Sequence, residues 1–153
     1  MKYLASILFI VLLSSSTPAL SRAAQADDIL GLWFNGEKDA KIEIARCAEK
    51  YCGKIVWLKD QNYPEGSKDG TPGTPKLDHN NPESTLKKVP IIGLQIVYEF
   101  TFAGDDLWNE GRVYDPKNGK TYKGKMTLVS PTHLDLRGYI GISLLGRTTT
   151  WTR

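Results

Sequence analysis

Residue types that commonly carry out chemistry are sparse in this sequence. Its two histidines, His79 and His133, have no serine, cysteine or aspartate at the spacing that nucleophilic catalysis would require. We therefore assign no catalytic residue and no cofactor. An unrecognised hydrolase is the least favoured of the three functions considered below.

A short polar segment, Asp78 to Pro82, carries side-chain oxygens of the kind that bind hard cations. Asp78, Asn80 and Asn81 precede the proline directly. Asp and Asn residues in such a position more often form turns, because their side chains bond to nearby backbone amides. The segment therefore predicts a turn, and we assign no metal ligand.

The two cysteines, Cys47 and Cys52, are the only ones in the chain. If residues 48–51 form a loop between two strands, both side chains lie on the outer face as cross-strand neighbours, with Cβ atoms about 4.5–5.5 Å apart. The spacing is not Cys-x-x-Cys, and no second Cys or His cluster completes a zinc site. In an oxidising compartment this pattern predicts a disulfide.

Strand alternation places three polar side chains, Arg46, Asn109 and Arg147, on the inward face beside aromatic residues. A buried cation without a partner is costly, so each arginine needs an acid or a solvated cavity. The candidate ligand-binding residues are Arg46, Trp57, Tyr98, Asn109, Tyr122, Arg147 and Trp151. Aromatic residues at such inward positions more often belong to an ordinary core than to a ligand-stacking site. For Arg147, a ligand role and stacking on Trp33 both stay open.

The segment Tyr114 to Tyr122 predicts the hairpin that organises these positions. Its Pro-Lys-Asn-Gly sequence favours a tight turn, which places Asp115 opposite Lys120. Counting outward from that pair puts Gly111 opposite Gly124 on the inward face. Two facing glycines remove side-chain volume, so the sequence predicts space for a ligand there.

Alternating apolar residues predict eight antiparallel strands and no helix, which favours an all-β, up-and-down barrel. At this strand number the interior is filled by side chains or holds one small ligand. Lys59 to Pro90 interrupts the alternation with many prolines and glycines. A loop of this length in a compact domain is often functional, so we expect it to cover one end of the barrel.

Residues 1–26 have the pattern of a signal peptide, with a basic start, a short apolar run and small residues before a cleavage point after Ala26. The apolar run is too short for a membrane anchor. Residues 27–153 are then one domain of a periplasmic or secreted protein, without an integral membrane segment. Removing the basic Lys2 and Arg22 of the leader lowers the formal charge of +3 by two, which disfavours nucleic-acid binding.

Several motifs together resemble a family of small secreted bacterial proteins, domain of unknown function 2147. They are Gly31-Leu32-Trp33, Cys52 to Leu58, Asp78 to Pro82, Gly111 to Pro116 with Gly119 to Tyr122, and Leu136 to Gly141 continuing into Leu145 to Arg153. The resemblance implies a lipocalin-like barrel and brings no established activity. Similarity to lipocalins further implies that Trp33 packs with Arg153 or Arg147 to close one end.

The leading hypothesis is a small-ligand-binding protein whose ligand is apolar or amphipathic, with an acidic or polar head near Arg46, Arg147 or Tyr122. The alternative is an envelope protein with a solid barrel core, which docks a partner through an exposed face including Trp108 and Tyr114. A cavity of about 300 Å³ or more would favour the first. Ligand identity, oligomeric state and pathway are not determined by the sequence.

Overall fold

A computed structural model describes residues 24–153, so the predicted signal peptide lies almost entirely outside the described residues. The strands are β1 (Gly31–Phe34), β2 (Ala40–Cys47), β3 (Lys50–Leu58), β4 (Gln95–Gly104), β5 (Leu107–Asp115), β6 (Lys120–Ser130), β7 (His133–Tyr139) and β8 (Arg147–Thr152). One short 3-10 turn, Ser143–Leu145, precedes β8. Within residues 24–153, no helix is long and apolar enough to cross a membrane.

Each strand pairs antiparallel with the next, and β1 closes the barrel by pairing with β8. The closing contact is short, with Phe34 opposite Thr152 as its paired position. The predicted eight-stranded up-and-down barrel is therefore confirmed. The hairpin between β5 and β6 also has the predicted register, with Asp115 opposite Lys120 and Gly111 opposite Gly124.

An irregularity in β5 reverses the predicted orientation of two residues. Trp108 pairs with Met126 and Gly111 pairs with Gly124, so β5 holds one extra residue between them. Glu110 absorbs it with a φ of 58°. Trp108 therefore points inward and is fully buried, whereas Asn109, predicted inward, is only half-buried.

Two further irregularities lie in β4. Ile96 is an extra residue relative to β3, so Ile96 and Val97 are both buried. Tyr98 was predicted inward, but it pairs with the exposed Arg112 on the outer face. A second shift at Glu99, which has a φ of 59°, returns Phe100 to the interior.

A similar shift places Trp57 outside the barrel, against the prediction. Ile42 pairs with Ile55, but the preceding Lys41 pairs with Trp57, so β3 has an extra residue here. The Trp57 ring packs edge-on against Phe34, with centroids 6.0 Å apart. The Lys41 ammonium lies 4.7 Å from the Phe34 centroid and 5.5 Å from the Trp57 centroid, which completes an outer aromatic cluster.

One end of the barrel is filled by large side chains. Trp33, Tyr51, Phe100 and Trp108 are all buried there, and the Trp108 Nε1 donates to the Ala26 carbonyl 3.1 Å away. Residues 24–30 cross this end, which we call the closed end. The Arg153 guanidinium lies 4.2 Å from the centroid of Trp33 and donates to the Leu30 and Asp28 carbonyls. Arg153, rather than Arg147, is thus the arginine that stacks on Trp33.

Phe100 also corrects the prediction of ligand space beside the facing glycines. A Cβ atom at Gly111 would lie 2.2 Å from the Phe100 ring, and one at Gly124 would lie 2.4 Å from it. The two glycines therefore make room for a core phenylalanine. The space beside the two glycines is filled by this ring.

The loop between β3 and β4 is ordered by contacts of its own. Two isolated bridges join Asn62 to Pro75 and Leu77 to Pro90. Within the loop, Tyr63 is buried and its hydroxyl accepts from the Leu77 amide at 3.0 Å. The predicted disulfide between Cys47 and Cys52 is present at the junction of β2 and β3.

Candidate ligand site at the open end of the barrel

A cavity of about 1560 Å³ opens to solvent at the end opposite the closed end. The connections β1–β2, β3–β4, β5–β6 and β7–β8 surround its mouth, which we call the open end. Aliphatic side chains and one indole line its interior, namely Ile42, Ile55, Ile91, Ile96, Val113, Leu136 and Trp151. The rim is polar and includes Asp39, Asp69, Lys76, His79, Asn80, Lys117, Tyr139 and Arg147.

Three of the seven candidate ligand-binding residues, Tyr122, Arg147 and Trp151, line this cavity. Trp57, Tyr98 and Asn109 do not, because the strand irregularities move them out of the predicted inward positions. Arg46 does not line it either, because it lies at the closed end.

At the closed end, Arg46 is exposed, against the prediction that it points inward, and it pairs with an acid. Its Nη2 lies 2.6 Å from Asp27 Oδ1, and its Nε donates to the same oxygen at 2.8 Å. The guanidinium also lies 5.0 Å from the Tyr51 ring centroid. Arg46 therefore serves the packing of the closed end.

Arg147 is the cation whose position best suits a ligand head group. It is the first residue of β8 and pairs with Gly138, which in turn pairs with the inward-facing Gly124. No Asp or Glu within residues 24–153 forms a salt bridge with it, whereas Arg46 and Arg112 each have one. A guanidinium offers a planar set of donors suited to carboxylate or phosphate oxygens.

Tyr122 contributes a hydroxyl to the same mouth. It lies opposite Val113 on β5 and accepts from Asn118 Nδ2 at 3.1 Å. The phenol can still donate its proton to an acceptor in the cavity. Trp151 lies deeper and is buried, so its ring forms part of the apolar floor.

An ion-pair cluster joins two hairpins across the mouth. Lys117, in the β5–β6 turn, bonds to Glu37 and lies 2.9 Å from Asp39 Oδ2; both acids are in the β1–β2 connection. Burial opposes the charged forms, but hydrogen bonds from Lys117 and Asn35 outweigh it and lower the pKa of Asp39. Burial by itself would lower the pKa of Lys117. The hydrogen bonds to Glu37 and Asp39 outweigh this effect, so the pKa is raised. Since these strand pairs lie on opposite sides of the barrel, the cluster narrows the entrance.

The long loop is fixed to the outside of the barrel by a buried carboxylate, Asp78. It accepts from the Tyr114 hydroxyl at 2.8 and 3.0 Å and from Asn81 Nδ2 at 2.7 Å. Tyr114 lies opposite the exposed Thr121, so it points outward from β5 into the loop. Burial, followed by the bond to Asp78, raises the pKa of Tyr114.

The Asp78 contact corrects the prediction that Tyr114 is exposed, and the inward position of Trp108 corrects the same prediction for that residue. Asn80 adds a second attachment by donating to the Pro116 and Lys117 carbonyls, both at 3.1 Å. The Asp78–Pro82 turn was predicted from its residue types. Its tyrosine partner, 36 residues away, carried no local signal.

His79 lies beside Asp78 at the rim. Its Nε2 is 3.8 Å from Asp69 Oδ1, and its buried Nδ1 has no hydrogen-bond partner. Across residues 24–153, no group of three or more His, Cys, Asp or Glu side chains is arranged to hold a metal ion.

Comparison with known proteins places the chain by fold and family. Protein HP1028 from Helicobacter pylori, whose structure is described as belonging to the lipocalin family, superposes with a TM-score of 0.67 at 21% sequence identity. The alignment covers 82% of each chain. No curated protein matches the sequence. The family model for uncharacterized proteins conserved in bacteria, DUF2147, matches residues 31–153, and the chain therefore belongs to that family.

Proposed function

We propose that this protein binds a small, mainly apolar molecule with an acidic or polar head group in the open-end cavity. The observation that carries the proposal is a solvent-open cleft of about 1560 Å³ with an aliphatic floor and a polar rim, at which Arg147 lies without an acid partner among the described residues. Apolar walls with a few polar groups at fixed positions are typical of small-molecule sites.

The walls and the mouth favour different parts of one ligand. Burying apolar surface against the partly exposed Leu58 and Val113 supplies affinity without directional constraint. Arg147 and Tyr122 supply directional donors, which fix the head group near solvent. An amphipathic molecule with its head outward matches this gradient better than a uniformly polar or uniformly apolar one.

The lipocalin-like fold agrees with this proposal, because eight-stranded barrels of this kind are wide enough to hold one small ligand. The Cys47–Cys52 disulfide is compatible with an extracellular or periplasmic location, which we propose as the site of binding. The alternative of a solid barrel that docks a partner through Trp108 and Tyr114 is disfavoured, since both side chains are buried.

Two measurements test the proposal. Native mass spectrometry of the protein purified from its host should detect a bound small molecule. Titration with an anionic naphthalene sulfonate dye should then show saturable binding, and Arg147→Met should weaken it by roughly ten- to a hundredfold, as expected for loss of a charge-assisted contact. Arg112→Met, which removes an exposed arginine from the outer face, is the matched control and should bind the dye normally.

The stability of the same variants separates a ligand role from a structural one. Arg147→Met should unfold at nearly the wild-type temperature, because no described salt bridge is lost. If the variant melts well below the wild type and retains the dye, Arg147 has a structural role and its assignment to the ligand site is wrong.

A further inference from the structure

The loop between β7 and β8 exposes a dense group of aliphatic side chains. The exposed fractions are 68% for Ile140, 61% for Ile142, 82% for Leu144 and 77% for Leu145. Isolated exposed apolar residues are normal on protein surfaces, but four within six residues form a contiguous apolar feature. We refer to residues 139–146 as the aliphatic loop.

This loop is held in shape by Arg137. The Arg137 Nε donates to the Ser143 carbonyl at 2.8 Å, Nη2 to the Leu144 carbonyl at 3.1 Å and Nη1 to Thr148 Oγ1 at 3.0 Å. The Gly146 amide also donates to the Ser143 carbonyl. Because these carbonyls have partners inside the protein, the turn can enter an apolar medium without leaving them unsatisfied.

Basic residues surround the base of the loop on the outer face. Lys123 pairs with Tyr139 and Lys125 pairs with Arg137 in the β6–β7 ladder. Neither lysine forms a salt bridge within residues 24–153, where Lys54 and Lys117 do. Lys123 is exposed and Lys125 is half-buried. An anionic lipid surface attracts cations at such positions, and the attraction adds to the insertion of apolar side chains.

We propose that the aliphatic loop inserts into an anionic lipid bilayer, with Lys123, Lys125 and Arg137 near the lipid head groups. A stable protein dimer buries about 800 Å² on each partner and uses roughly 20–30 residues of each, far more than one eight-residue loop provides. Shallow insertion into a bilayer requires no such area.

Insertion would also place the cavity against the membrane. Ile140 and Leu145 line the open-end cavity as well as being exposed, so an apolar surface runs from the loop into the barrel. An amphiphile could pass along it between bilayer and cavity. That exchange rests on the proposed function, whereas the docking of the loop does not.

Co-sedimentation with lipid vesicles tests the docking, using the protein with the N-terminus it has when purified from its host. It should bind vesicles of phosphatidylethanolamine and phosphatidylglycerol, and less well vesicles of phosphatidylcholine. The double substitution Leu144→Ser with Leu145→Ser should lower the partition coefficient at least tenfold. Val129→Ser removes an aliphatic side chain that is 62% exposed at the opposite end of the barrel and should have no effect.

A second variant tests the electrostatic part. Lys123→Gln with Lys125→Gln should remove most of the preference for phosphatidylglycerol and most of the salt dependence, while leaving weak binding. Equal sedimentation of wild type and the double serine variant would overturn the proposal, as would a wild type that does not sediment. Light scattering showing a dimer that the serine variant abolishes, without vesicle binding, would assign the loop to a second copy of this chain.

Failure of the docking can be distinguished from failure of the ligand proposal. The difference in dye binding between the wild type and Arg147→Met, measured without vesicles, reports on the cavity, because the aliphatic loop is the same in both proteins. A protein that binds dye but not vesicles would keep the proposed function and lose the membrane inference.

Discussion

The two ends of this barrel are built from the same eight strands, but different types of side chain occupy their inward positions. At the closed end, four large aromatic side chains, Trp33, Tyr51, Phe100 and Trp108, are each no more than 1% exposed. Toward the open end, the inward positions hold the smaller Ile42, Ile55, Ile96 and Leu136, which are buried and form the floor of a solvent-open cleft. The closed end is therefore filled by large aromatic side chains, whereas the open end has an aliphatic floor below a polar mouth.

The comparison extends to what covers each end. The closed end is sealed by residues 24–30 and by Arg153, whose guanidinium donates to backbone carbonyls and stacks on Trp33. The open end is bordered by the long loop, which is anchored from outside through Asp78 and Tyr114. One end is thus sealed by packed side chains, while the other is open to solvent and has Arg147 at its rim, which forms no salt bridge within residues 24–153.

Truncating a closed-end aromatic should have the largest effect on stability. Trp108→Ala removes a fully buried indole and should lower the free energy of unfolding by about 3–5 kcal/mol. Tyr122→Ala at the cavity wall removes a half-exposed ring and should cost about 1 kcal/mol. Urea unfolding of both variants measures the difference; similar losses would break the distinction between the two ends.

The role of the glycines can be tested by overfilling the space beneath them. Gly124→Ala places a Cβ atom 2.4 Å from the Phe100 ring and should destabilise the fold by about 1–3 kcal/mol. Combining it with Phe100→Leu should recover part of that loss, because the smaller side chain vacates the contact. Additive losses in the double variant would show that Phe100 and Gly124 do not share this space.

Replacing Arg147, the first residue of β8, and replacing Arg153, which follows β8, should have opposite effects on stability and dye binding. Arg153→Met removes a cation over Trp33 and three donated hydrogen bonds, and should cost about 1–2 kcal/mol of stability. Dye binding should be unchanged. In the same thermal melts and dye titrations, Arg147→Met should weaken dye binding and leave the melting temperature nearly unchanged. Equal stability losses in the two variants would contradict a structural role for Arg153 and a binding role for Arg147.

The smallest expected effect is a pH dependence at the loop anchor. The raised pKa of Tyr114 means that its stabilising contribution is complete below its unfolded pKa of about 10 and is lost as pH rises toward the folded value. By pH 10.5 the loss should be about 1 kcal/mol. Tyr114→Phe should start less stable at neutral pH, because Asp78 loses a donor, and should decline less between pH 9 and 10.5. Parallel wild-type and variant pH profiles of urea unfolding would contradict this assignment.

Local patterns in the sequence were sufficient to predict the barrel and several of its parts. Alternating residues identified the strands, the Pro-Lys-Asn-Gly turn set the β5–β6 register, and the spacing of Cys47 and Cys52 indicated the disulfide. These features depend on neighbours in the chain, so they could be deduced without coordinates. The inward positions of Tyr122 and Trp151 followed from the same alternation.

The orientation of the remaining candidates was decided by tertiary structure. Glu99 and Glu110 adopt positive φ values at the strand irregularities, and glutamate gives no local preference for that conformation. A shift of one residue turns side chains to the opposite face, which is why Tyr98 and Asn109 left the interior and Trp108 entered it.

The cavity itself also depended on contacts between distant parts of the chain. Gly111 and Gly124 indicated missing volume, but only the packing of Phe100 showed that this volume is filled. Tyr114 looked like a surface aromatic until Asp78 of the long loop covered it. Alternation fixes which face of a strand is apolar; which neighbour occupies the space beyond that face is a property of the assembled barrel.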